Sequence, residues 1–460
     1  MTPPHIEGNT GRIPTGIAFD TVSAVRWRAS EVASAVGGEL VGDDVDVDGA
    51  SIDSRSIRAG QLFVPIVDAR DGHDFIAPAR AAGAPAHLTS RPDRTEPQPA
   101  IVVPDTASAL LDLGRLARTA LPERVVGITG SVGKTTTKDL LAAILGERFA
   151  TTASERSFNN ELGVPLTLAN APVGTEAAVV EMGARGAGHI ALLCSVATPT
   201  IGVVTVVAGA HLEVFGTLDD VARAKGELIE ALPAHGTAVL NADDARVAAM
   251  AGRSEAAVRT FGEHGGDVRA EAVTMDDELH PSFRLVTEDG STDVRLVVRG
   301  RHQVTNALAA ATAALAAGCS LDDVVAGLGS ARLSGLRMDL QRAPSGALVL
   351  DDSYNANPTS MVAALDALAA LPARRRIAVL GVMAELGDDS TEGHREVAAR
   401  AHELGIEVRS VAAPAYGVED APDIETAVAQ LGPLGDGDVV LVKGSRVAGL
   451  EALAALLLGR

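Results

Sequence analysis

The amino-acid sequence predicts an α/β protein of three domains, and three observations carry that expectation. First, Val125-Val-Gly-Ile-Thr-Gly-Ser-Val-Gly-Lys-Thr-Thr136 is an apolar strand that runs into a Gly-rich turn and then into a helix opened by Lys134 and Thr135. Second, from Arg124 onward apolar strands alternate with helical stretches, the pattern of a parallel sheet covered on both faces. Third, a second alternating series begins after Arg342 and is long enough for a Rossmann-like domain of its own. A chain of 460 residues accommodates this plan.

The first part of the chain, residues 1–105, reads as a smaller mixed α/β domain. Residues 51–55 and 61–66 have the composition of short strands around a turn at Gly60, residues 75–82 that of a helix, and residues 91–99 that of a Pro-rich loop. Residues 1–20 read as a flexible lead-in. The central domain, 106–333, carries expected strands at 125–128, 178–181, 201–207 and 238–240, and helices at 140–145 and 219–232. Residues 282–286 and 292–298 alternate in part across Asp289-Gly290, a β-hairpin signal appended to the main sheet. An Ala-rich helix follows at 302–317. The last domain, 334–460, repeats the rhythm: strands at 347–350, 377–380, 408–411 and 438–442, helices at 361–371 and 394–404, and a final helix to Leu458.

Charge and composition narrow the function. A net charge of −21 argues against DNA, RNA or an anionic membrane surface as partner, so an acidic ligand must be met by a local cationic pocket. Cys194 and Cys319 lie in small or apolar surroundings and read as buried, inert thiols of a reducing cytoplasm. The N-terminus lacks a basic region followed by an apolar core, and no apolar run reaches the roughly 18 residues of a membrane span. A cytoplasmic protein without membrane insertion is the expectation.

The turn at 129–136 is built for a nucleotide phosphate. Backbone N–H groups and the positive end of a helix face phosphate oxygens, Lys134 reaches the outer phosphates, and the Thr135 hydroxyl suits Mg²⁺. The spacing departs from the usual Gly-x4-Gly-Lys: Gly127 and Gly130 stand six and three residues before Gly133. Glu181 ends the next expected strand, and His211 follows the one after across a short turn. Ligands of parallel sheets bind at the carboxyl ends of strands, so both project toward the loop's edge. Singly they read as a turn cap and a surface histidine; together beside the loop they form a divalent-cation pair.

Lys225 shares a helical face with Val221, Leu228, Ile229 and Leu232. Such a lysine is either a buried amine, readily deprotonated and able to take up CO₂ as a carbamate, or a side chain snorkelling from the helix edge; the periodicity fits both. Asp352-Ser-Tyr-Asn-Ala-Asn-Pro358 follows the first strand of the last domain and fits a plain βα loop as well as a ligand-meeting edge. Val442-Lys-Gly-Ser-Arg446 brings two cations to the same edge and, taken alone, reads as a solvated basic turn.

At these residues the chain resembles the Mur ligases, ATP-dependent amide-forming enzymes of peptidoglycan precursor synthesis. Family members share a TGxxGKT-type loop, here Thr129-Gly-Ser-Val-Gly-Lys-Thr135. Segments 158–168, 181–189, 352–358 and 442–446 resemble the branch that adds D-alanyl-D-alanine to a UDP-N-acetylmuramoyl-tripeptide. The resemblance implies that the first domain binds the UDP-sugar through Ser54 and Arg55, the central one binds ATP, and the last closes over the site and binds the incoming amine. It implies Thr129, Gly130, Ser131, Val132, Gly133, Lys134, Thr135 and Thr136 around the phosphates, with Asn306 near the adenine. Arg337 and Asp352 become nucleotide contacts from the last domain. Two Mg²⁺ ions are implied, one on Thr135 and one on Glu181 and His211, with Lys225 carbamylated. Asn159 and Asn160 meet the muramoyl substrate; Tyr354, Asn355, Asn357, Lys443 and Arg446 are further substrate contacts. The third residue of the peptide, diaminopimelate or lysine, stays open, and a monomer is implied. Val206, Ala208 and Val382 depart from the family's usual residues. Competing readings are a sister Mur-type ligase acting on a muramoyl dipeptide or on folylpolyglutamate, and a non-enzymatic nucleotide switch.

Overall fold

The computed structural model describes residues 24–93, 96–155, 157–209, 215–384, 386–387 and 390–460, and these form three main sheets. The central one has nine strands. In spatial order they are Gly290–Arg295, Pro281–Thr287, Val268–Met275, Ala257–Gly262, Thr237–Asn241, Ile201–Val204, Val125–Thr129, Ala177–Glu181 and Thr151–Ala153. All neighbours run parallel except the expected hairpin and its junction with Val268–Met275. The parallel strands read as unbroken Val, Ile and Ala because helices cover both faces.

Register places the site. Glu181 stands opposite Ile128, and Thr129 opposite Val204, so three strands end together at the edge where the Gly-rich turn begins. The strand expected over 201–207 stops at Val204 because the next residues serve the turn: Ser131 N–H donates to the Val206 carbonyl at 2.7 Å.

The last sheet has six strands in the order Asp339–Arg342, Leu348–Asp351, Asp438–Lys443, Arg375–Gly381, Glu407–Val411 and Asp420–Ala421, parallel but for the first. Pairing of Asp351 with Val442 and of Leu380 with Lys443 brings Asp352 and Lys443 to one rim. The first region forms a five-stranded sheet, Glu39–Val41, Ala100–Val102, His87–Thr89, Leu62–Phe63 and Ala50–Ser51, plus a two-stranded pair. Pro65, which cannot donate to a ladder, holds its strand to two residues.

Apolar packing follows the sheets. One core runs without a break from Trp27, Val32 and Val47 through the helix Thr106–Thr119 to Val180 and Leu228 on one face of the central sheet. A second fills the other face beneath the helices Lys134–Gly146 and Gln303–Ala316. The last sheet has separate cores on its two faces, one of which takes in Leu279 and Met275 from outside the sheet. Both cysteines are buried and free, their thiols pushed up by burial to about 12 at Cys194 and about 11 at Cys319. No helix among the described residues is long and apolar enough to cross a membrane. The expected lead-in at 1–20 lies outside the described residues.

Candidate active site

The Gly-rich turn is held open by backbone geometry only glycine supplies. Gly130 has φ +150°, and a Cβ there would stand 1.9 Å from Thr205 Oγ1; Gly133 has φ +84°, and a Cβ there would stand 2.3 Å from Asn306 Oδ1. Thr205 Oγ1 donates to the Val132 carbonyl at 2.6 Å, and the Ser131 hydroxyl exchanges hydrogen bonds with the backbone of Ala208. These contacts explain why Val206 and Ala208 are tolerated: at both positions the loop is served by main-chain atoms. Lys134 curls back so that Nζ donates to the Gly130 carbonyl at 2.7 Å.

Above this turn opens a cavity of about 650 Å³. Of the residues singled out in the sequence, Ser131, Val132, Gly133, Lys134, Thr135, Thr136, Asn159, Asn160, Glu181, Lys225, Asn306, Arg337, Asp352, Tyr354, Asn355, Asn357, Lys443 and Arg446 all line it. Thr129 and Gly130 lie beneath the loop, and Ser54 and Arg55 are not among the lining residues; Arg55 forms an ion pair with Asp53 at 2.7 Å. His211 lies outside the described residues.

Two groups on the cavity floor lack partners. Glu181 is 1% exposed; its Oε1 accepts from Asn159 Nδ2 at 2.8 Å, but its Oε2 has no hydrogen-bond partner among the described residues. A buried carboxylate oxygen left bare is costly unless a cation completes it. Lys225 is 3% exposed and faces the same cavity from the helix Leu218–Glu230, making no hydrogen bond or ion pair to a described residue. Burial, reinforced by the positive charge of Lys134, holds its pKa well below the usual lysine range. Of the two sequence readings, the buried amine is the one observed. Among the described residues no three His, Cys, Asp or Glu side chains form a metal cluster, so a cation on Glu181 would need oxygens brought by a ligand.

The opposite wall comes from the last sheet. Lys443, 2% exposed, donates to Asp352 Oδ2 at 2.5 Å and to the Asn355 carbonyl at 2.9 Å, so its charge is spent on fixing the Asp352–Asn355 loop. Asn357 caps the helix Pro358–Ala370, its Oδ1 accepting from Ser360 N–H at 2.9 Å. Arg337 stacks on Tyr354 with 4.1 Å to the ring centroid and donates to Ser157 Oγ at 3.3 Å. Ser157 Oγ in turn lies 3.3 Å from Thr135 Oγ1, so one hydroxyl links the phosphate turn to the last domain. Sequence reasoning passed over Ser157, His302 and Gln303. His302, whose pKa burial lowers, pairs with Gln303 at 3.0 Å, and Gln303 Oε1 accepts from Asn306 at 2.8 Å. Arg185 and His189, both within the 181–189 segment, also line the cavity.

Comparison with known proteins settles the family. The sequence matches the Mur ligase family catalytic domain over residues 46–117, the Mur ligase middle domain over 128–314, and the Mur ligase glutamate ligase domain over 336–446. The chain belongs to the Mur ligase family. A similar protein from Mycobacterium tuberculosis (strain CDC 1551 / Oshkosh), named UDP-N-acetylmuramoyl-tripeptide–D-alanyl-D-alanine ligase, is 40% identical over 502 residues, covering 94% of this chain and 98% of the relative. The crystal structure of MurF from Acinetobacter baumannii superposes with a TM-score of 0.87 at 32% identity, covering 95% of this chain and all of that one. The MurF ligase from Thermotoga maritima, solved in complex with ADP, gives a TM-score of 0.79 at 30% identity over 89% of this chain and 97% of its own. The three-domain α/β architecture of this Mur ligase is that of these structures.

Proposed function

We propose that this ligase joins D-alanyl-D-alanine to UDP-N-acetylmuramoyl-tripeptide at the expense of ATP, yielding the UDP-N-acetylmuramoyl-pentapeptide, ADP and phosphate for peptidoglycan. The observation that carries the reading is the cavity itself, where the phosphate turn, Glu181, Lys225 and the Asp352–Lys443 rim converge although they come from two sheets.

A carboxylate does not condense with an amine at neutral pH, because its oxygen leaves poorly. The tripeptide's terminal carboxylate attacks the γ-phosphorus, the bond to the β-bridging oxygen breaks, and an acyl phosphate and ADP result. The dipeptide amine then attacks the acyl carbon and phosphate departs. No protein nucleophile is required; the protein positions the reactants and neutralises charge. Lys134 and the turn's N–H groups hold the phosphates. The pairing of Asn306 with Gln303 steadies the end of the cavity beside Gly133, where the adenine is expected. Arg337 and Asp352 meet the nucleotide from the far wall, and Asn159 and Asn160 the muramoyl peptide. Ser54 and Arg55 would hold the UDP-sugar.

Bare Glu181 Oε2 fits one divalent cation, with His211 as its further candidate ligand, and Thr135 would hold another; such ions would shield the phosphate charge from the incoming carboxylate. Unpartnered Lys225 fits a carbamate, which would turn an isolated cation into an oxygen ligand. The reading places the enzyme, as a monomer, in the cytoplasm.

The test is phosphate release measured with UDP-muramoyl-tripeptide and D-alanyl-D-alanine, each omitted in turn and the amine varied. Release that requires both substrates supports the reading. Release that ignores the dipeptide, or that follows a single amino acid equally well, overturns it.

A further inference from the structure

The cations that line the cavity can be sorted by what each already holds. Lys134 and Lys225 sit at the phosphate end. Lys443 is locked to Asp352, Arg337 is stacked on Tyr354, and Arg446 pairs with Glu451 at 3.3 Å. Arg185 differs. Its side chain is 68% exposed, donates no hydrogen bond to a described residue, and has one loose ion pair, 3.9 Å from Glu161. It lines the cavity from the central domain, four residues beyond Glu181.

The backbone beneath Arg185 is held firmly even though its guanidinium is not. Arg185 N–H donates to His189 Nδ1 at 3.1 Å, and His189 Nε2 lies 3.0 Å from Glu161 Oε2. An imidazole that accepts at Nδ1 carries its proton at Nε2 and donates it to the Glu161 carboxylate. Glu161 continues the Asn159-Asn160 segment, whose Asn160 Oδ1 accepts from Gly163 N–H at 2.9 Å. Thus two loops that line the cavity are pinned together, and the guanidinium they present keeps its donors for a ligand. Guanidinium donors in a fork recognise carboxylates in preference to other groups.

We propose that Arg185 reads the distal carboxylate of a diaminopimelate at the third position of the acceptor peptide and so selects it over lysine. This rests on the amide ligation proposed above. With the reacting carboxylate at the phosphate turn beside Glu181, the side chain of that same residue is the part of the peptide that can extend to Arg185, and any carboxylate further back in the peptide is common to both tripeptides. Diaminopimelate bears a carboxylate on that side chain. Lysine ends in an ammonium alone, which Arg185 would repel.

The experiment uses the full chain, unmodified and as Arg185→Gln and Arg185→Glu, with two UDP-muramoyl tripeptides that differ only in diaminopimelate or lysine. Steady-state kcat and KM are measured for each, with KM for ATP as internal reference. Unmodified protein is expected to favour diaminopimelate. Arg185→Gln should raise KM for that peptide about tenfold or more, in line with loss of a charge-assisted contact, and shift the lysine peptide several-fold less. Arg185→Glu should invert the preference. Equal losses for both peptides would mean that Arg185 meets a group they share, and this or an unchanged preference in Arg185→Glu overturns the assignment. Failure of the unmodified chain to ligate either peptide would instead sink the ligation reading, and the assignment with it.

Discussion

Replacing Lys225 by Met separates what this residue contributes to function from what it costs the fold. Its amine is 3% exposed, without a partner among the described residues, and close enough to Lys134 to feel its charge. Leaving a polar head group buried and unpaired costs about 1–3 kcal/mol in proteins. Met has nearly the same length and volume, so Lys225→Met removes that cost without opening a cavity. The variant should be more stable at pH 7 by about 1–3 kcal/mol, and a change of 1 kcal/mol moves the melting temperature of a domain this large by roughly 2–4 °C. The pH dependence has a definite sign. The pKa of Lys225 is lowered by folding, so between the folded value and about 10.4 the unfolded chain binds a proton that the native protein does not. Stability of the unmodified protein therefore climbs with pH through that window; below the folded pKa the penalty is complete and flat. Lys225→Met should lack this climb. Calorimetry from pH 6 to 10 in CO₂-depleted buffer measures it, and adding bicarbonate should stabilise only the unmodified protein. Ligation, followed by phosphate release, should be lost in the variant. A variant less stable than its parent at pH 7, or one that retains near-normal turnover, refutes the reasoning.

Two further perturbations act on the same floor. Glu181→Gln keeps an oxygen for Asn159 but removes the bare charge, so nucleotide with Mg²⁺ should raise the melting temperature of the unmodified protein and not of the variant, and turnover should fall at least about 100-fold. Gly130→Ala forces a side chain into φ +150° and against Thr205, which supports the Val132 carbonyl; we expect about 1–3 kcal/mol of destabilisation and a KM for ATP raised about tenfold, measured by calorimetry and steady-state kinetics.

Much of this was legible in the chain because the signals are local. The phosphate turn, the hairpin across Asp289-Gly290 and the strand ending at Glu181 each lie within a dozen residues and were found. The strands Ala257–Gly262 and Val268–Met275 were not, because the first mixes apolar and polar residues without alternation, with Ala257 and Val258 exposed, and the second alternates irregularly through a bulge. The helix Gly163–Ala169 hid behind Pro165, which is tolerated in the first turn where no N–H is needed. Ser157 is a different kind of omission. It joins Thr135, 22 residues away, to Arg337, 180 residues away, and no periodicity within one segment encodes that meeting. Lys443 and Asn357 were recognised as residues of the site's edge, but only coordinates reveal that one neutralises Asp352 and the other caps a helix.

The unbroken core from Trp27 to Leu228 has a practical corollary. A gene cut at residue 105 would leave Val32, Leu110 and Leu113 facing water on its two products, so the first hundred residues and the nucleotide-holding fold can be transplanted between relatives only as one piece. The terminal portion, whose apolar interior takes only Leu279 and Met275 from outside, is the natural unit to exchange by itself.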